Sequence, residues 1–214
     1  MKEKVDVTDP AINIEKEPLL DLNKNKFKID EYILNKIKNK ENLSIEKNNI
    51  IFNTGNGDCW FNVISQALFD DEKYHLSIRK KIYDSLLLKK EFFSKNHLTV
   101  NVQNNIVLIE DYINEIKFSS NWAGDLEISE TSLIYNCNII LYKYESNNEY
   151  ICNLSYFNSY GYLDNKNKTF IFITFANNNH YQLINLVNEF NILNIENNNY
   201  NLYEYNSDNT KKNE

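Results

Sequence analysis

The hydrophobic residues change period once along the chain, and that change limits what it can fold into. Before residue 137 the apolar positions recur at helical spacing. Ile78, Ile82 and Leu86 lie four apart, and Ile106, Ile109, Ile113 and Ile116 repeat such a stripe. From Cys137 onward, short β-branched and aromatic runs take over, at 138–144, 150–156, 169–175 and 180–187. Helices followed by strands predict an α+β domain, with a mostly antiparallel central sheet flanked by helices. The spacing places helices from Cys59 to about Phe69, over 74–92, over 104–116 and over 125–135. In the second of these, Arg79, Lys80, Lys81, Lys89 and Lys90 are assigned to a solvent face. Residues 1–49 read as an N-terminal arm with one short amphipathic helix at 29–37. Residues 50–187 read as the main domain, and 188–214 as an Asn-rich tail too poor in apolar residues to promise order.

A length of 214 residues suits one domain with appendages, and an aromatic content of 14% supplies a packed core. The net charge of −7 argues against nucleic acid and against anionic membrane, since both select basic surfaces. Three cysteines at irregular spacing, with no CxxC pair and three scattered histidines, suggest neither a disulfide framework nor a metal site, and no cofactor motif is present. No segment approaches the length of a membrane span and the first twenty residues carry no apolar signal core, so a reducing, cytoplasmic setting is expected. The abundance of Asn, Lys, Ile and Tyr points to A/T-rich coding, as in an intracellular bacterium, a virus or a protist. From such a source an effector would work in a host cytosol.

Chemistry concentrates at Gly55-Asn56-Gly57-Asp58-Cys59-Trp60-Phe61. A cysteine at a helix start meets unpaired backbone N–H groups and the positive end of the helix dipole, and both favour thiolate. The glycines on either side of Asn56 allow a tight turn that brings amides close to a reacting carbonyl. Asp58, next to the thiol, would raise its pKa unless the carboxylate points away. A nucleophilic thiol also needs a base and a group that orients that base. His180, which opens a strand after the polar turn 176–179, is the candidate base. His75 and His97, in a helix start and a loop, are read as ordinary residues.

These residues resemble the OTU (ovarian tumour) family of cysteine peptidases, which remove ubiquitin from proteins. The family motif Asp-Gly-x-Cys-x-Phe resembles Asn56-Gly57-Asp58-Cys59-Trp60-Phe61, and its leucine-arginine step resembles Ile78-Arg79. Its Trp-Gly-Gly-x-x-Glu element is similar to Trp122-Ala123-Gly124-Asp125-Leu126-Glu127, and its late histidine-aromatic pair to His180-Tyr181. The resemblance spans about 50–186 and implies an OTU-like, papain-like peptidase fold. It implies a thiol-dependent deubiquitinase whose partner is ubiquitin or polyubiquitin. Cys59 would be the nucleophile, the Gly57 and Asp58 amides an oxyanion hole, and Trp122, Gly124 and Tyr181 a substrate channel. The chain departs from the family twice: Asn56 stands where an Asp is usual, and Gln182 where an Asp or Asn follows the histidine. Gln182, on the same side of its strand as His180, is the first choice to orient the imidazole, and Asn56 the second. An OTU-like module that binds ubiquitin without cleaving it remains an alternative, as does a papain-like peptidase with an unrelated substrate.

Overall fold

The computed structural model describes residues 4–20, 29, 31–55, 57–102, 105–147, 150–163, 169–176 and 180–186. In chain order these form α1 (Glu31–Lys38), β1 (Leu43–Glu46), β2 (Ile50–Ile51), α2 (Cys59–Phe69), α3 (His75–Leu88) and α4 (Lys90–Lys95). There follow β3 (Thr99–Val102), β4 (Asn105–Leu108), α5 (Ile109–Ile116) and α6 (Asp125–Ile134). The chain then runs through β5 (Cys137–Asn147), β6 (Ile151–Tyr160), β7 (Thr169–Ala176) and β8 (His180–Ile184). The Asn-rich tail, 188–214, lies outside the described residues.

The α+β reading holds. A six-stranded sheet runs in the order β1-β6-β5-β7-β8-β2, and a separate hairpin joins β3 to β4. The large sheet is mixed rather than purely antiparallel: β5 and β7 run parallel, while the other four neighbouring pairs are antiparallel. Side-chain alternation sends Ile139, Leu141, Ile171 and Ile173 to one face, where α2, α3, α5 and α6 cover them. Ile140, Tyr142, Phe170 and Phe172 go to the other, where Ile33, Leu34 and Ile37 of α1 pack. Strand β7 is buried on both faces from Thr169 to Thr174, which is why it reads as an unbroken apolar run.

The described residues among 4–50 contribute directly to this architecture. Strand β1 extends the sheet along β6, and α1 closes the second core. Asp6 bridges to Phe118, and Glu17 accepts hydrogen bonds from Ser77 (2.9 Å) and Tyr135 (3.0 Å) and ion-pairs with Lys81.

Two helical expectations are corrected. The stretch 104–116 is not one helix: Asn105–Leu108 pairs with Thr99–Val102, and the helix begins only at Ile109. Short runs of Ile and Val satisfy both periods, and the cross-strand partner at 99–102 decides in favour of a strand. The helix expected over 74–92 breaks at Lys89. The Lys89 ammonium turns onto the buried carboxylate of Glu130 at 2.6 Å, so it does not belong to a free solvent face. Among the described residues, no helix is long and apolar enough to cross a membrane.

Candidate active site

The nucleophile loop is shaped by what its residues cannot be. Gly57 has φ +86°, and a Cβ there would stand 2.4 Å from the backbone oxygen of Ser120, so both conformation and space demand glycine. Asp58 occupies the N-cap position of α2, yet its side chain makes no capping bond. Its carboxylate turns away from the thiol, accepting from Nη2 of Arg79 at 2.5 Å and from the Ser120 N–H at 3.1 Å.

Arg79 is a second correction to the expected solvent face of α3. It is 1% exposed, and its guanidinium lies 3.8 Å from the Phe61 ring centroid. It also donates to the carbonyls of Ile116 (2.9 Å) and Asn121 (2.8 Å). The sequence signal that could have found it is its spacing, three residues before Ile82 and seven before Leu86, on the apolar side of α3.

Cys59 begins α2 as expected and is 5% exposed, with Trp60 and Phe61 fully buried behind it. Burial pushes its thiol above the usual range. Backbone N–H groups of Tyr181 and Trp60 oppose that shift, and the nearby Asp58 charge adds to it. The helix end therefore lowers the thiol pKa, as argued from sequence, but does not overcome burial. The first turn is held from behind by Asn53, whose Nδ2 donates to the Cys59 carbonyl at 2.9 Å. Asn62 likewise donates to the Thr54 carbonyl at 2.9 Å. No local pattern singles out Asn53 among the many asparagines.

Strand β8 carries the candidate base. His180 pairs with Ala176 across the β7–β8 ladder, and its ring lies against the cysteine loop. A Cβ at Gly55 would stand 3.2 Å from Cε1 and 3.4 Å from Nδ1 of the imidazole. The next residue, Tyr181, bonds the Cys59 thiol through its backbone and packs its ring edge-on against Trp60 at 5.1 Å. Tyr181 thus faces the helical layer, with its ring held by Trp60 and Phe175. His180 and Gln182 face the opposite side and line one cleft of about 430 Å³ with Ile50, Phe52 and Tyr144. Gln182 is 6% exposed beside Thr174, so it is not a solvent-facing strand residue. Asn56 lies outside the described residues. His75 is engaged through Nδ1 with the Glu72 carbonyl at 2.9 Å, and His97 sits at a turn with φ 49°.

Beyond the loop contact at Ser120, Trp122 and Gly124 line a cleft of about 390 Å³ together with Tyr112, Glu115 and Asn121. Trp122 is 53% exposed and is not a buried turn anchor. The turn is fixed instead by Glu127. Its buried carboxylate accepts from the Gly124 N–H at 2.8 Å and is hydrogen-bonded to Tyr112. Burial holds that carboxyl above the usual carboxylate range, against the pull of these bonds.

A thiol at the start of a buried helix, with a late strand brought against it so that Tyr181 bonds the thiol and the His180 ring lies on the cysteine loop, is compatible with a papain-like thiol peptidase. A family model described as OTU-like cysteine protease matches residues 54–181, more than half of the chain, and the chain belongs to that family. No curated protein matches it by sequence to a significant degree. Among solved structures it is similar to the viral OTU domain protease from Dera Ghazi Khan virus, with 21% identity over 67% of this chain and 86% of that one, and a TM-score of 0.47. The Hazara virus OTU bound to ubiquitin gives 11% identity, 67% and 86% coverage, and 0.49. The OTU deubiquitinase from Wolbachia pipientis wMel bound to ubiquitin gives 14%, 63% and 93%, and 0.44.

Proposed function

We propose that this OTU-like cysteine protease is a deubiquitinase that hydrolyses the bond between the terminal glycine of ubiquitin, or of a ubiquitin-like modifier, and a lysine amine. The observation that carries this reading is the meeting of the two chain segments: the Cys59 thiol bonds the backbone of Tyr181, while the His180 ring lies on Gly55. His180 takes the proton of Cys59, and the thiolate attacks the glycine carbonyl. The backbone amides around Gly57, Asp58 and Cys59 hold the oxyanion. His180 then protonates the departing lysine amine, and water hydrolyses the thioester to release the carboxylate and restore the thiol. Gln182, buried on the His180 side of β8, orients the imidazole. Trp122 and Gly124 wall the channel for the glycine-ended tail. Ubiquitin as the substrate class rests on the family resemblance, and a host cytosol as the working place rests on composition.

The raised thiol and the absence of an acid two residues after His180 favour a second reading, a ubiquitin-binding module that does not cleave. Cleavage of a panel of linkage-defined di-ubiquitins separates the two. The deubiquitinase reading expects turnover of at least one linkage by the native chain and none by Cys59→Ala. Equal turnover by that variant would sink it, and binding without turnover would support the module.

A further inference from the structure

Arg79 stands at the one point where the cysteine loop, α3 and the wall of the Trp122 cleft meet. Its Nη2 spans the carboxylate of Asp58, next to the nucleophile, and the carbonyl of Asn121, next to Trp122. Nη1 reaches the end of α5 at the Ile116 carbonyl, and the ring of Phe61, two residues into α2, lies under the guanidinium. The Ser120 N–H closes the figure by donating to the same Asp58 oxygen that Arg79 holds. Both ion-pair partners are almost completely buried, at 1% and 3% exposure. A buried pair of this kind adds little net stability over well-packed apolar residues, so stability alone does not account for it.

We propose that Arg79 is a positioning residue for the nucleophile: one guanidinium holds the Asp58 carboxylate off the Cys59 thiol and locks the cysteine loop to the 116–122 segment that walls the cleft. The proposal rests on the reading of Cys59 as the nucleophile. The physical need is plain. A carboxylate adjacent to a thiol disfavours the thiolate, and it does so most in a buried site unless a cation answers it. The planar fork suits the task because it can satisfy a carboxylate and two carbonyls at once, which an ammonium on a flexible stem does not do in fixed geometry. Among the described residues, the other titratable groups beside the thiol or the pair are Tyr181 on β8, Tyr112 on α5 and Glu127 on α6, while the His180 ring lies on Gly55 of the cysteine loop.

The test needs no ubiquitin. The rate of Cys59 carbamidomethylation by iodoacetamide is followed against pH by peptide mass spectrometry, on variants shown by near-ultraviolet circular dichroism to be folded. Arg79→Met moves the midpoint up by about one pH unit. Asp58→Asn/Arg79→Met returns it to within a few tenths of the native value. A folded Arg79→Met with an unchanged midpoint overturns the proposal, as does a double variant that keeps the shift. Should Arg79→Met fail to fold, Asp58→Asn alone decides. The uncompensated guanidinium then lowers the midpoint, and an unchanged or raised midpoint overturns the proposal. The locking role is read separately with a fluorogenic ubiquitin substrate, on which Arg79→Lys raises KM several-fold more than it lowers kcat; equal effects on both refute that role. Because alkylation and hydrolysis are separate readouts, a chain that ignores ubiquitin yet shows the midpoint shifts contradicts the deubiquitinase reading and not this one.

Discussion

Gly55→Ala separates the placement of the His180 imidazole from the stability of the fold. The backbone at Gly55 does not have a positive φ, and the residue is exposed, so alanine fits there without conformational strain. By restricting the unfolded chain it should stabilise the protein by about 0.4–1 kcal/mol. For a chain of this length that is a rise of about 1–4 °C in Tm. The new methyl would stand 3.2 Å from Cε1 of His180. Ordinary carbon contacts begin near ~3.5 Å and are optimal up to ~4.0 Å, so the ring must withdraw by about 0.5 Å. A misplacement of about 1 Å in a catalytic group costs about a hundredfold, and half of it should cost about tenfold in kcat/KM. Hydrolysis of a fluorogenic ubiquitin substrate and a thermal melt, run on the same preparation, check both halves. Full activity with an unchanged or raised Tm would show that the imidazole does not work from its seat on Gly55. Activity lost together with the fold would show that the stability half of the reasoning is wrong.

Gly57→Ala should behave oppositely, because its φ of +86° and the 2.4 Å approach to the Ser120 oxygen penalise any side chain. A loss of about 2 kcal/mol or more in urea unfolding is expected, and a neutral result would contradict the loop geometry. Gln182→Ala should lower kcat about tenfold or more with KM nearly unchanged, since it acts on the base and not on binding; Asn56→Ala lowering kcat while Gln182→Ala does not would transfer the orienting role to Asn56. At Asp6, burial pushes the carboxyl up, but bonds from Lys117 and Thr8 outweigh it and hold the pKa at about 2. The folded value lies below the ordinary 3.8, so this group stabilises the fold above that pH and the contribution fades as pH falls toward about 2. Asp6→Asn should flatten the stability profile within that acid window, and an unchanged profile would remove Asp6 from the account.

The parts of the fold written in local pattern were legible. The start of α2 at Cys59, the doubly buried run of β7 and the strand opened by His180 follow from glycine punctuation, β-branched content and period. Where a side chain's partners are remote in sequence, local pattern misleads. Arg79 sits beside Lys80 and Lys81 and looks like part of a wet face, yet its partners are Asp58, Ile116 and Asn121. Lys89, at the break between α3 and α4, reaches Glu130 on α6, and 105–108 forms a strand because 99–102 is there to pair with it. At the site, Cys59 and the His180-Tyr181 step stand out in the sequence because cysteine and histidine are rare in it, and the structure brings Tyr181 against Cys59 and the His180 ring onto Gly55. Asn53 does not stand out, because an asparagine that bonds one carbonyl is indistinguishable in sequence from its many neighbours.

In the proposed function, Cys59 is the thiol that attacks the end of ubiquitin. Ubiquitin carrying a thiol-reactive group in place of its terminal glycine, incubated with the native chain and mapped by mass spectrometry, tests it most directly. One ubiquitin adduct on Cys59 is expected, slowed strongly in His180→Ala and absent in Cys59→Ala. An unmodified native chain, or an adduct on Cys137 or Cys152 in its place, would contradict it.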